Sequence, residues 1–281
     1  MAVTMRAVSR GVIALILAGL PMAVTACDER ALPPTPASAS ASSGAAAAPS
    51  IEDRSESPAW YLGQGVPSTA NAWSSEDLAQ AVSALRTIAD RELEKMPRHE
   101  GPSGPVFARL VDTRGAEAAA KSEVPVRRML ELSSWFDPIG VLTQLYARRD
   151  TKGRGFPTEV ARVTVAALTL LRLMHDPIAK SHPPTEAAAL QEYEAGLAQI
   201  RTGTTKTLMG ALLMLSEPEA LAGGERRLLA NAVDRFLEHA HRLLPGAARA
   251  PMVDQLELLV VKEKDEIVKA KLESAAKHLG G

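Results

Sequence analysis

The sequence predicts an all-α protein, an irregular antiparallel helical bundle behind a disordered Ala/Ser/Pro-rich tether, and three observations predict it. Apolar residues recur at helical spacing through most of residues 74–281. Proline stands again and again where such a pattern begins, the position at which its missing N–H costs nothing. Aromatic residues make up only 4 % of the chain, so the core must be aliphatic, as closely packed helices allow.

Taken in order, Ser74-Ser75-Glu76-Asp77 reads as a helix start with acids in its first turn. Leu78, Val82, Leu85, Ile88 and Leu93 then follow on one face as far as Pro97. Residues 98–124 are ambiguous between a short helix and an extended piece. A second helix begins after Pro125 with Val126, Met129, Leu130 and Leu132. Asp137-Pro138 should restart it, and Ile139, Leu142, Leu145 and Tyr146 continue one face. Pro157-Thr158-Glu159 opens another, carrying Val160, Val163, Ala167, Leu170, Leu171 and Met174. Pro184-Thr185-Glu186 begins the longest element, which runs to Ser216. After a turn at Glu217-Pro218-Glu219, Gly223-Gly224 precedes a helix with Leu228, Leu229, Val233, Phe236, Leu237 and Leu243. Pro251 opens the last helix, which ends at Gly280-Gly281. Lys262–Glu266, Asp265–Lys269 and Glu273–Lys277 at i,i+4 lace its outer face. No period of 20–50 residues repeats.

Ahead of this domain (residues 58–281) stand two segments of different character. Residues 1–26 have the three parts of an export signal: Arg6 and Arg10, an uncharged apolar run (GVIALILAGL, residues 11–20), then Pro21 and small residues. The apolar run is too short to span a bilayer, which takes about 20 residues. The sole cysteine of the chain, Cys27, follows Val24-Thr25-Ala26. That tetrad resembles the lipobox of bacterial lipoproteins, with Val24 in place of Leu and Thr25 in place of Ala or Ser. The resemblance covers only these first 27 residues. It implies cleavage before Cys27 and a diacylglyceryl group on its sulfur. The implied localisation is a bacterial membrane, inner or outer undetermined, with the folded domain outside the cytoplasm. An ordinary signal peptidase could also cut after Ala26 and leave a soluble chain. The placement of the one cysteine favours the lipid. Two or more acyl chains anchor stably, at about 0.8 kcal/mol per buried CH₂. With Cys27 acylated no disulfide can form, and the fold must hold by its core.

Residues 27–57 are rich in Ala, Ser and Pro and hold almost nothing apolar enough to bury, the composition of a disordered linker. Thirty such residues span on the order of 30 Å, enough to let the domain stand off a bilayer.

Charge is nearly balanced, with 32 Lys and Arg against 33 Asp and Glu, so no nucleic-acid partner is expected. Candidate sites are few. Gly196, Gly203 and Gly210 recur every seven residues on the longest helix, as a helix contact or a docking stripe requires, an internal contact being the simpler reading. Glu238 and His241 have the E-x-x-H spacing of di-iron bundles but lack a second pair, so no metal and no cofactor is expected. His99-Glu100 begins the zinc-protease motif, yet Ser103 stands where its second histidine should be. Residues 101–105 miss a nucleophile elbow by Pro105, and Thr205-Lys206-Thr207 lacks the glycine of a phosphate loop. Trp60, Tyr61 and Trp73 gather aromatics after the linker, either packed on the bundle or as a docking site. Arg148, Arg149, Lys152 and Arg154 form a basic loop that solvation explains and anionic headgroups could also use.

These features favour a membrane-anchored lipoprotein whose domain is a non-enzymatic binding or scaffolding module, its partner an envelope protein or peptidoglycan. Two alternatives stay open. One is an envelope enzyme with dispersed acid/base residues, where His175 and Asp176 would meet His182 in a cleft. The other is a binder of a small apolar ligand inside the bundle.

Overall fold

The computed structural model describes residues 63–91, 96–121, 125–149, 155–217 and 219–280. Cys27, the linker, Trp60 and Tyr61 lie outside these residues, as do Lys152 and Arg154. The described residues are all-α, an irregular bundle of helices α1 (Ser75–Arg91), α2 (Gly104–Leu110), α3 (Arg114–Ala119), α4 (Pro125–Arg149), α5 (Pro157–Ala179), α6 (Ala187–Ser216), α7 (Gly223–Ala240), α8 (Gly246–Lys262) and α9 (Glu266–Gly280), with a 3₁₀ turn at His241–Leu243. No described helix is long and apolar enough to cross a membrane.

Local chemistry accounts for the boundaries. Ser74 and Asp77 form a reciprocal cap at α1: the Ser74 amide donates to Asp77 Oδ2 at 2.8 Å and the Asp77 amide to Ser74 Oγ at 3.2 Å. Two of the orphan amides at the helix start are thereby satisfied. Pro157 takes the first helical position of α5. The ambiguous stretch 98–124 contains two short helices, α2 and α3, which send Val106, Phe107, Leu110 and Ala116 into the core.

Three expectations need correction. Pro138 does not restart a helix, because α4 runs unbroken through it. Leu132 and Phe136 before the proline and Ile139, Leu142, Leu145 and Tyr146 after it are all buried. At about 1.5–3 kcal/mol per buried apolar side chain, that continuous face outweighs the roughly 3 kcal/mol an internal proline costs. Leu228 is half exposed although its neighbour Leu229 is buried, so the inner face of α7 starts one residue later. The last helix is two. Pro251 sits inside α8 rather than at its start, and the chain breaks at residues 263–265. Asp265 caps α9 through its Oδ1, which accepts the amides of Ile267 (3.0 Å) and Val268 (3.2 Å). The side chains of Glu263 and Asp265 are therefore engaged in a turn, and the i,i+4 pairs expected across it are replaced by caps.

Helices α5 and α7 pack against each other at the centre; α4 lies on α5 and α1 on α4, while α9 lies on α7 and α8 on α9. Helix α6 leans on α5, α7 and α8, so α6, α7, α9 and α8 close into a ring of four. The irregularity lies in direction. Arg227 pairs with Asp265 at 2.8 Å and Asp234 with Lys271 at 2.9 Å, so α7 and α9 run parallel, with α8 making the return.

Candidate functional site at the start of the central helix

Among the described residues the most enclosed acid or base is Glu159, in the first turn of α5, only 1 % exposed. Its Oε1 accepts the backbone amide of His99 at 3.1 Å and faces His99 Nδ1 at 2.9 Å and Arg98 Nε at 3.1 Å. Burial alone would raise this carboxyl. The His99 side-chain and backbone hydrogen bonds, with the charge of Arg98, outweigh it and hold the group below the ordinary carboxylate range. The other edge of the imidazole, Nε2, lies 3.2 Å from the exposed Glu100. His99 thus sits between two carboxylates.

The residues around this centre fix the loop 96–103 in place. Tyr146 donates its hydroxyl to the Pro97 carbonyl at 2.5 Å. The Arg98 guanidinium lies 4.4 Å over the Phe156 ring, and that ring packs on Tyr146 at 5.4 Å between centroids. Ser103 Oγ accepts the Arg98 amide at 2.8 Å. Gly101 turns the chain with φ +70, a left-handed conformation in which glycine is unstrained. One turn further along α5, Arg162 reaches Glu225 of α7 at 2.9 Å, and that hydrogen bond is the chief cause of the lowered Glu225 carboxyl.

A histidine whose Nδ1 is held by a buried carboxylate has the orientation that acid/base work requires. Here, however, the opposite edge meets Glu100 on the surface. A surface pocket of about 300 Å³ is lined by other residues: Thr69, Pro105, Ala108, Arg109, Asp112 and Arg114. Its charges are largely engaged with one another: Arg109 Nη2 donates to the Thr69 carbonyl at 2.9 Å, and Arg114 grips Asp112 with Nε at 2.9 Å and Nη2 at 2.6 Å.

The residues singled out by sequence fall as follows. Trp73 is in the core, its indole N–H donating to the Ser68 carbonyl at 2.9 Å, so it is not presented to a partner. Gly196, Gly203 and Gly210 are all buried within the chain, the internal-contact reading of the stripe. Glu238 pairs with His239 at 3.3 Å while His241 Nδ1 faces the Leu237 carbonyl at 3.0 Å. Among the described residues no group of three or more His, Cys, Asp or Glu could hold a metal ion. His175 lies 3.5 Å from Asp176 at the far end of α5, and His182 is exposed in the loop beyond. Thr205 and Thr207 bond back to the carbonyls of Arg201 and Gly203 inside α6. Ser103 fastens the loop 96–103 through its Oγ. Arg148 and Arg149 close α4.

His99-Glu100 alone does not reveal this centre, because the partner that gives His99 its setting, Glu159, is 60 residues away. The signal the sequence does carry is an acid in a helix first turn followed by an apolar face. No protein-family model, curated protein or solved structure matches the chain.

Proposed function

We propose that the chain is a bacterial lipoprotein, anchored through acylated Cys27, whose helical domain is a non-enzymatic binding or scaffolding module of the cell envelope. One observation carries the reading: the only cysteine follows Val24-Thr25-Ala26 at the end of an apolar export signal. The described domain supports it from the other side. Its one deeply buried acid/histidine pair is occupied in fastening a loop, and the stretch between Cys27 and residue 63 is long enough for a leash. On this reading the module stands outside the cytoplasm and meets its partner, an envelope protein or peptidoglycan, within reach of that leash.

Metabolic labelling with an alkyne fatty acid tests the anchor. The native chain takes up label and sediments with membranes, and Cys27→Ser does neither. Label that survives Cys27→Ser overturns the reading. Affinity capture from detergent-solubilised membranes then tests the module: a stoichiometric companion recovered with the native chain supports it.

The His99–Glu159 pair favours a second reading, an envelope enzyme using His99 as acid/base group. It predicts turnover of cell-wall fragments that His99→Gln abolishes at unchanged melting temperature. A native chain without turnover overturns it.

A further inference from the structure

Helices α6 and α7 belong to the same ring and both send buried residues inward, yet they are fastened by different means. Helix α7 is tied by side chains: Arg162 reaches Glu225, Arg227 pairs with Asp265 and Asp234 with Lys271. Among the described residues no side chain of α6 makes an ion pair or a hydrogen bond to another helix. Its polar ties lie towards its two ends. The hydroxyls of Tyr193 and of Ser181, in the loop after α5, bond at 2.8 Å, and Arg226 donates to the Leu215 carbonyl at 2.9 Å.

Between these ties the helix is built of residues that hold it weakly. Residues 196–210 include three glycines and four threonines. Each interior glycine disfavours the helical state about fivefold relative to alanine, and β-branched threonine adds a smaller penalty of the same sign. The inner face is also thin here. Of the buried residues Gly196, Ile200, Gly203, Thr204, Thr207, Leu208 and Gly210, only Ile200 and Leu208 are large and apolar.

One hydroxyl marks the weakest point. Thr202, Thr205 and Thr207 each donate to the carbonyl four residues earlier, all at 2.9 Å. Thr204 is fully buried, and its Oγ1 has no hydrogen-bond partner in the protein. Gln199 Oε1, on the same stretch, is likewise buried without one. A buried polar group left unpaired penalises the closed state, because water would satisfy it in the open one. Propensity, thin burial, missing ties and an orphaned hydroxyl thus fall on one segment. We propose that α6 is the seam along which the bundle opens locally: residues 196–210 unclamp from their neighbours and take up water while α7 and α9 stay packed. The proposal does not depend on lipid at Cys27 or on the module's partner.

The test is hydrogen exchange of the full chain in mild detergent, read by mass spectrometry as protection factors in residues 200–210 of α6 and 228–238 of α7. Where reclosing is fast, protection reports the free energy of opening. The expected result is protection at least about tenfold lower in the α6 segment. Thr204→Val removes the orphaned hydroxyl at nearly unchanged shape, and should raise protection in α6 by about tenfold while leaving α7 as it was. Tyr193→Phe cuts the tie to Ser181 and should lower protection in α6 by about threefold, again without change in α7. That second variant, at a half-buried position, decides the matter by itself if Thr204→Val does not fold. Equal protection of the two segments in the native chain overturns the proposal. So does a variant that shifts both segments alike, since α6 then opens only with the whole bundle, and so does a fall in α6 protection on Thr204→Val.

Discussion

Two buried charges of opposite sign hold this molecule at two places, and they fasten it differently. Glu159 is an anion that collects donors from two adjacent residues, Arg98 and His99. Arg226 is a cation that donates to Leu215, Glu217 and Glu263, groups from two chain segments besides its own. The first pins one loop to the central helix. The second ties the finish of α6, the start of α7 and the α8–α9 turn into one joint. What matters for the fold is how many segments share the buried charge, and on that measure the cation has the larger reach.

Breaking the joint is the strongest test of this difference. Arg226→Met leaves the Glu263 carboxylate buried without its cation, and the expected loss of stability is about 3–5 kcal/mol by denaturant unfolding. Hydrogen exchange should accelerate in all three segments, since none keeps its fastening. Acceleration in α7 alone would show that the joint is not shared.

A smaller effect is expected at the other charge. Glu159→Gln keeps an acceptor but loses the ionic hydrogen bonds, for about 1.5–3 kcal/mol. Exchange should quicken in residues 96–103 and leave α8 and α9 unchanged. The pH dependence has a definite sign. The folded Glu159 carboxyl sits below its unfolded value of about 4.3, so fewer protons are bound when folded. Its stabilisation is fully present above that value and fades as pH falls through the lowered folded one. Glu263 behaves alike: burial would raise it, and the hydrogen bond and charge of Arg226 with the amides of Asp265 and Lys264 bring it down. Each Glu→Gln change should flatten the acid limb of the stability profile; a limb as steep as that of the native chain would remove that carboxylate from the account.

Weaker supports sharpen the contrast. Phe156→Leu removes the face beneath Arg98 and should lower stability by about 0.5–1 kcal/mol beyond the loss of apolar contact. Asp265→Ala takes the cap from α9, and its effect should be a local rise in exchange at the Ile267 and Val268 amides with a small drop in Tm. An unchanged exchange rate at those two amides would show that the cap is idle.

Much of the architecture could be read from the residues because it is local. Ser74 and Asp77 announce a cap, Pro157 a helix start, and Leu229, Val233, Phe236 and Leu237 an inner face. The departures arise where tertiary contact overrules a local signal. Pro138 reads as a break, yet the apolar residues on both sides of it share one buried face. The α8–α9 break reads as helix because Lys262, Glu263, Lys264 and Glu266 are good helix formers, while the groups that bend it, Arg226 and Arg227, come from another helix. Glu159 shows the same limit for the candidate site. Its first-turn position was legible, but the pairing with His99 exists only once the chain has folded back across 60 residues.

The parallel course of α7 and α9 has a consequence for a growing chain. The ring of four cannot close until α9, its final member, has come back past α8. Val268, Leu272, Ala275 and Leu279 are all buried, and they cover a side of α7 that nothing synthesised earlier can cover. A product that stops short of Glu266 would therefore keep an open apolar flank on its central helices, a feature that proteolytic surveillance removes. The fifteen residues of α9 thus act as the seal of the ring that α6, α7 and α8 leave open.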